Sequence, residues 1–337
     1  MKNLFVKFIL LGFCLTSFFS CTSDKVPNTT TSTVDIYVSG TKGNNPCYWK
    51  NNQLFLLDAG GFTNTTTRKI IVSNGDVYVL GLGQNPGLYS TDYVYLFWKN
   101  GVLTDLRNAL SVSSILAEYI TDMYIVGTDV YFCGTTKEWP NGNRSTIYWK
   151  NGVKTILSAN DGFGFPGQML VKNNSVYIIS TKGIGLQSKK GYYIDSLFYD
   201  YATDYMGLYG IYENNNNIYI YGTIDSTLTG SNYIGYYKNI VTGTETTIPS
   251  IQHIENLQID SGNLYYANMN GLYCNNILLN NTHTGLMISG FYILNSDKYI
   301  LSSTDGSTLS FFVDVNGVTT MQNASDEHFE SLFVVQN

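Results

Sequence analysis

Three histidines, five cysteines and 25 acidic residues are the raw material for chemistry in this chain. His253, His283 and His328 lie far apart, and neither a His-x₃-His nor a Cys-x₂-Cys pair occurs. Transition metals are held by such pairs, so no metal site and no cofactor is expected. A Gly-x-Ser-x-Gly nucleophile elbow and a glycine-rich phosphate loop are absent. So is the Asp-x-Asp-x-Asn-Gly run that wraps calcium. Carboxylates cluster at Asp200 with Asp204 and at Asp326 with Glu327 and Glu330. Glycoside hydrolysis needs two carboxyl groups at a defined separation, and Glu138, Asp161 and Asp204 are the set that would have to converge. Neighbouring carboxylates are ordinary on a surface, and no catalytic residue is assigned.

Recognition is the better-supported chemistry. Tyr89, Trp139, Phe163, Phe165, Tyr201 and Tyr205 lie in polar stretches with Lys137, Glu138, Arg144, Lys189 and Lys190. Aromatics beside polar groups are the composition of a binding surface, and they also suit stacking on sugar rings. Tyr89, Trp139, Glu138, Arg144, Phe163, Phe165 and Tyr205 are the candidate ligand-binding residues. The expected partner is an envelope protein or a glycan. A nucleic acid is not expected, since 19 Lys and Arg face 25 Asp and Glu, with a net charge of −6.

What positions these residues is a tandem repeat. Asp-Ile-Tyr-Val-Ser-Gly at 35–40 returns as Asp-Val-Tyr-Val-Leu-Gly at 76–81 and Asp-Val-Tyr-Phe-Cys-Gly at 129–134. Weaker copies start at 175, 217, 263 and 297, each with Tyr third: Tyr37, Tyr78, Tyr131, Tyr177, Tyr219, Tyr265 and Tyr299. Their spacing of 34 to 53 residues matches a propeller blade. A second motif follows each copy, as in Phe-Trp-Lys-Asn-Gly at 97–101 and Tyr-Trp-Lys-Asn-Gly at 148–152. Asn-Gly between apolar runs is a hairpin signal. A further strand precedes each first motif, so each repeat reads as four antiparallel strands. In the third these are 119–126, 129–134, 145–150 and 153–158. Only 106–118 carries helical pattern.

The first repeat, starting at Val34, lacks a leading strand, and residues 331–336 supply a spare one. The expected fold is all-β: a seven-bladed β-propeller of four-stranded antiparallel blades, closed by the C-terminal strand pairing into the first blade. A six- or eight-bladed ring and an open solenoid are the alternatives, because the fourth copy lacks Trp-Lys-Asn. The Tyr column and Trp49, Trp98 and Trp149 read as packing between blades. Gly40, Gly81, Gly134 and Gly222 read as points of close backbone approach. Asp35, Asp76, Asp129 and Asp297 read as turn residues that bond local backbone amides. The connections from second to third strand and from fourth to next first strand share one face, and they are longest in repeats two to four.

The paired signatures resemble the repeat of β-propeller lipoproteins of Bacteroidota, over residues 34–337 and most clearly in the first three repeats. The resemblance implies a propeller and an envelope location, and no particular activity. The N-terminus fits that address. Lys2 and Lys7 precede the apolar run 8–19, which is too short to cross a bilayer and reads as a signal-peptide core. Phe18-Phe19-Ser20-Cys21 resembles a lipobox, with Phe18 where Leu is usual. Residues 1–20 are thus expected to be a lipoprotein signal peptide, Cys21 the lipid anchor, 21–33 a flexible tether and 34–337 the propeller. Cys47, Cys133 and Cys274 read as buried, inert thiols. Asp195-Ser196-Leu197 and Asp225-Ser226-Thr227 resemble a short O-glycosylation acceptor of Bacteroidota. The whole reads as a monomeric, lipid-anchored outer-membrane protein that binds a protein or glycan without catalysis. An envelope polysaccharide hydrolase or lyase is the alternative.

Overall fold

Asn-rich turns set the architecture. Asn74-Gly75, Asn100-Gly101, Asn151-Gly152 and Asn316-Gly317 all have positive φ at both residues, as do Asn51-Asn52, Asn173-Asn174 and Asn275-Asn276. Two positive φ values in a row make the type I′ turn, whose twist matches paired strands. In this computed structural model the described residues are 33–86, 93–111, 119–137, 144–157, 166–183, 189–201, 206–225, 233–268, 271–279, 286–304 and 310–337.

The strands, in chain order, build seven four-stranded sheets. Blade I holds β1 (Val34–Lys42), β2 (Asn45–Lys50) and β3 (Gln53–Leu56). Blade II holds β4 (Thr63–Ser73), β5 (Asp76–Gln84), β6 (Tyr93–Lys99) and β7 (Val102–Asp105), followed by the short helix α1 (Leu106–Ala109). Blade III holds β8 (Tyr119–Val126), β9 (Asp129–Lys137), β10 (Arg144–Lys150) and β11 (Val153–Ile156). Blade IV holds β12 (Met169–Lys172), β13 (Ser175–Lys182), β14 (Lys189–Ile194) and β15 (Leu197–Asp200). Blade V holds β16 (Met206–Asn214), β17 (Asn217–Asp225), β18 (Tyr233–Asn239) and β19 (Glu245–Ile248). Blade VI holds β20 (Asn256–Asp260), β21 (Asn263–Asn268), β22 (Gly271–Cys274) and β23 (Ile277–Leu278). Blade VII holds β24 (Leu286–Leu294), β25 (Asp297–Thr304), β26 (Phe311–Val315) and β27 (Val318–Gln322). The last strand, β28 (Glu327–Gln336), pairs with β1 as the leading strand of blade I. The ring therefore closes as the sequence predicts, with β28 longer at its start than 331–336. Residues Asp35–Val335 form one compact unit. In the small second unit, Asn337 N–H donates to Thr33 O at 2.9 Å.

In six of the seven blades the signature residues form a clasp between the two tight turns. In blade II, Asn100 Nδ2 donates to Asp76 Oδ1 at 2.7 Å, and Asn100 Oδ1 accepts from Val77 N–H at 2.8 Å. Lys99 bridges to Asp76 at 2.8 Å, and its Nζ lies 5.3 Å from the centre of the Tyr78 ring. Blade III repeats this with Asn151, Asp129, Lys150 and Tyr131, and blade I with Asn51, Asp35, Lys50 and Tyr37. The motif Asp thus bonds the turn Asn and the Lys side chains, whereas the sequence reading gave it backbone amides. The Asn takes the amide instead. Hydrogen bonds from Lys99 first, then Asn100, hold the Asp76 carboxyl below the usual range. Blade IV lacks Trp-Lys-Asn, yet Asp195 takes the turn position with φ of 52° and accepts from Val176 N–H at 2.9 Å.

The motif's last glycine has an equally local cause. Four leading strands carry a β-bulge, at Thr67/Lys69, Ile120/Asp122, Leu208/Gly210 and Ile288/Gly290. At each bulge the strand crowds its neighbour. A Cβ on Gly134 would run into the Tyr119 carbonyl oxygen, and one on Gly222 into that of Gly207. Between blades the core is aromatic and aliphatic. Tyr78, Leu80 and Phe97 of blade II pack with Ile120, Met123, Phe132, Ile147 and Trp149 of blade III. Trp98 and Trp149 are fully buried, and Trp49 nearly so. The Tyr and Trp columns are packing, as expected.

Candidate functional site

The clasp leaves the two ends of the propeller unlike. Every first-to-second and third-to-fourth connection is a tight turn at one end, the longest of the latter at 240–244. The stretches outside the described residues within 34–337 all join strand ends at the other end. The leading strands line a central channel of about 830 Å³, with residues from all seven blades, that runs from bulge residues such as Tyr209 at that end to Ser73 and Glu213 beside the tight turns.

Its wall mixes polar and apolar side chains, and the polar groups join one blade to the next. Asp122, 5% exposed, accepts from Lys69 Nζ of blade II at 2.5 Å and from Met169 N–H of blade IV at 2.9 Å. Gln168 Oε1 accepts from Ile211 N–H and Tyr221 OH of blade V, both at 3.2 Å. Gln258 donates to Ile293 O at 2.6 Å and accepts from Ile293 N–H at 2.8 Å, tying blade VI to VII. Each side chain satisfies a backbone group that faces the channel instead of a strand partner. Toward the tight-turn end Tyr124, Tyr212 and Tyr292 line the cavity. Burial, before any neighbouring charge, pushes the Tyr124 and Tyr212 hydroxyls up to about 12, and burial raises Tyr292.

Near the long-connection end three rings meet. Tyr209, on the bulge of β16, lines the channel. His253, in the connection into β20, lies 6.1 Å edge-on from Tyr209 and 6.0 Å in a stacked pair with Tyr233 at the start of β18. Tyr209 is 42% exposed and Tyr233 38%, so both rings face solvent. The Nδ1 atom of His253 is buried and has no hydrogen-bond partner among the described residues. Arg68, Asn256, Ser289 and Glu330 line the same channel.

Of the seven candidate ligand-binding residues, only Arg144 falls within the described residues. Its guanidinium lies 5.6 Å from the centre of the half-exposed Tyr119 ring. Tyr89, Trp139, Glu138, Phe163, Phe165, Tyr205 and the anchor Cys21 lie outside the described residues, as do Asp161 and Asp204. Three of the remaining clustered carboxylates have partners. Glu327 bridges to Lys42 and Glu330 to His328, each at 3.0 Å, and Asp200 pairs with Lys189. Tyr201 donates to Glu245, with Lys238 Nζ 4.3 Å from its ring centre, so it serves blade V packing. Cys47 and Cys133 are buried free thiols, and Cys274 is half-buried. Burial pushes Cys47 up to about 12 and Cys133 further still. The reading missed Tyr209 and Tyr233. They fall outside the repeat motifs and 24 residues apart, and only the ring brings them to His253.

No family model and no curated protein matches the chain. Solved structures do. A structure from a study of two prolyl endopeptidases is 10% identical, with 90% of this chain and 51% of that chain covered and a TM-score of 0.51. This chain thus spans about half the length of that one. A candidate 6-phosphogluconolactonase from Bacteroides fragilis is 13% identical over 92% of this chain and 100% of that chain, with a TM-score of 0.47. At such identities the likeness is one of fold.

Proposed function

We propose that this chain is a lipid-anchored envelope protein whose propeller binds a glycan across the mouth of the channel and does not convert it. The observation that carries the reading is the aromatic group of Tyr209, His253 and Tyr233 beside a channel lined by both polar and apolar groups. A sugar presents a C–H face that packs on aromatic rings and hydroxyls that need hydrogen-bond partners. Arg68, Asn256, Ser289 and the His253 ring supply donors and acceptors. The absence of turnover is read from the carboxylates. Of the carboxylates lining the channel, Asp122 is held by two donors, Glu213 by Lys172 and Glu330 by His328, leaving none poised as a lone acid. The envelope address rests on the apolar run at 8–19 and on Cys21.

Glycan arrays followed by calorimetry test the reading. Tyr209→Ala and Tyr233→Ala are expected to weaken binding at least tenfold, about 1.4 kcal/mol each, with the melting temperature unchanged because both rings are solvent-facing. A chain that binds no envelope glycan, or one that cleaves the glycan it binds, refutes it.

A further inference from the structure

The outer strands repeat a feature that neither the clasp nor the channel uses. Val102, Val153, Leu197, Ile277 and Val318 each stand immediately after the tight turn that opens the outer strand of blades II, III, IV, VI and VII. In blade V, Val241 sits in the corresponding turn. These six side chains are 59% to 70% exposed. Blade I alone carries a polar residue there, Gln53. Single exposed aliphatics are ordinary. Five at one register with a sixth in the matching turn, around the rim of one end, are not explained by strand propensity, which Thr meets equally well without exposing apolar surface.

The chain itself points to what covers them. It enters the propeller at Asp35, whose carboxylate bonds the turn residue Asn51, so entry is at the same tight-turn end. Thirteen residues, 22–34, separate that point from Cys21. A coil of thirteen residues spans roughly 20 Å. Fully extended they reach at most about 45 Å. Turning the long-connection end toward a membrane would carry the tether over the rim and along a nine-residue strand of about 30 Å. About two thirds of the extended length would be spent along the strand alone.

We propose that the tight-turn end lies against the lipid bilayer, with the rim aliphatics Val102, Val153, Leu197, Val241, Ile277 and Val318 at the headgroup boundary. This rests on the lipid anchor at Cys21. The rim adds weak apolar contacts to a single anchoring signal and fixes orientation. The channel mouth with Tyr209, His253 and Tyr233 then faces away from the membrane, open to a partner.

Depth-sensitive fluorescence tests this. The full chain is produced in a bacterial host that processes lipoproteins and reconstituted in phosphatidylethanolamine–phosphatidylglycerol vesicles. In a Cys274→Ser background, which removes the half-buried native thiol, a polarity-sensitive probe is attached at Val102→Cys or Val153→Cys, and in a third variant at Tyr93→Cys, at the far end of blade II. Circular dichroism verifies the fold of each. The rim probes are expected to shift to the blue and to be quenched several-fold more by lipid-borne quenchers than the Tyr93→Cys probe. Adding Asp at the other rim positions should abolish the difference while the protein still floats with the vesicles. Flotation with all three probes in water overturns the orientation and leaves the anchor standing. Failure to float overturns the anchor and the orientation together. A rim shift that needs no vesicles and rises with protein concentration assigns the rim to a second copy of this chain and overturns the bilayer reading.

Discussion

Replacing Asp122 with Leu removes one carboxylate that serves three blades. Asp122 accepts from Lys69 Nζ at 2.5 Å and from the buried Met169 N–H at 2.9 Å. Its side chain is 7% exposed and that of Lys69 32%. The two losses differ. Lys69 reaches water, so its share of the pair is screened and worth about 1 kcal/mol. The Met169 amide is left buried without an acceptor, at a cost of about 2 kcal/mol. Asp122→Leu should therefore destabilise by about 3 kcal/mol, lowering the melting temperature by about 6 °C at roughly 2 °C per kcal/mol for a domain of this size. Asp122→Asn keeps an acceptor for Met169 and should cost only about 1 kcal/mol. In a Lys69→Met background the cost of Asp122→Leu should fall to about 2 kcal/mol, since the screened pair is already gone. Urea unfolding at constant m-value reads these differences. Equal stability of the Asn and Leu variants would refute the amide-acceptor role, and a neutral Leu variant would refute the inter-blade tie itself.

Gly134→Ala forces a methyl into the Tyr119 carbonyl at the bulge of β8. It should cost 3 kcal/mol or more (about the scale of severe overpacking), read by the same unfolding assay, whereas Gly75→Ala, with nothing nearby but φ of +81°, should cost about 1 kcal/mol. The pH dependence follows from the channel tyrosines. Tyr124 and Tyr212 are raised from 10.0 to about 12, so the folded state favours their neutral form. That contribution is fully present below the unfolded value near 10 and is lost as pH rises through 12. Thermal stability should fall between pH 10 and 12, and Tyr124→Phe should flatten the fall. For the thiols, Ellman's reagent at pH 8 should label Cys274 in the native propeller, while Cys47 and Cys133 react only after denaturation.

The repeat, the blade count and the closing strand were legible because they are written in local pattern. Asn-Gly encodes a turn, alternation encodes a strand, and the spacing of Tyr37, Tyr78 and Tyr131 encodes the blade. The partners of the motif residues were less legible. Asp76 and Asn100 are 24 residues apart, and nothing in either motif says that the amide side chain closes onto the carboxylate. The inter-blade ties were not legible at all. Asp122 and Gln258 lie in leading strands and Gln168 just before one, and none of the three recurs from blade to blade, because each answers a backbone group of a different neighbour. The aromatic group failed to show for a related reason. His253 was read as one isolated histidine, since rings at 209, 233 and 253 meet only after the strands of blade V have been folded beside one another.

This contrast separates scaffold from function within the chain. Residues that recur do so because every blade solves the same local problem: a turn to clasp, a bulge to accommodate, a neighbour to pack. Asp, Tyr, Gly, Trp, Lys and Asn in the signature are spent on that problem, and most of them cluster at the tight-turn end. A binding surface has the opposite requirement. A glycan has no sevenfold symmetry, so the groups that recognise it must differ from blade to blade. The long-connection end meets this requirement, since its connections differ in length and composition while the strands beneath hold register. Tyr209 makes the point on a single position. The bulge residue is Arg68 in blade II, Thr121 in blade III, Tyr209 in blade V and Ser289 in blade VII. The backbone repeats there, and the side chain changes from cation to hydroxyl to aromatic ring. A position whose geometry is held constant while its chemistry varies around a channel is where specificity can be written without cost to the fold.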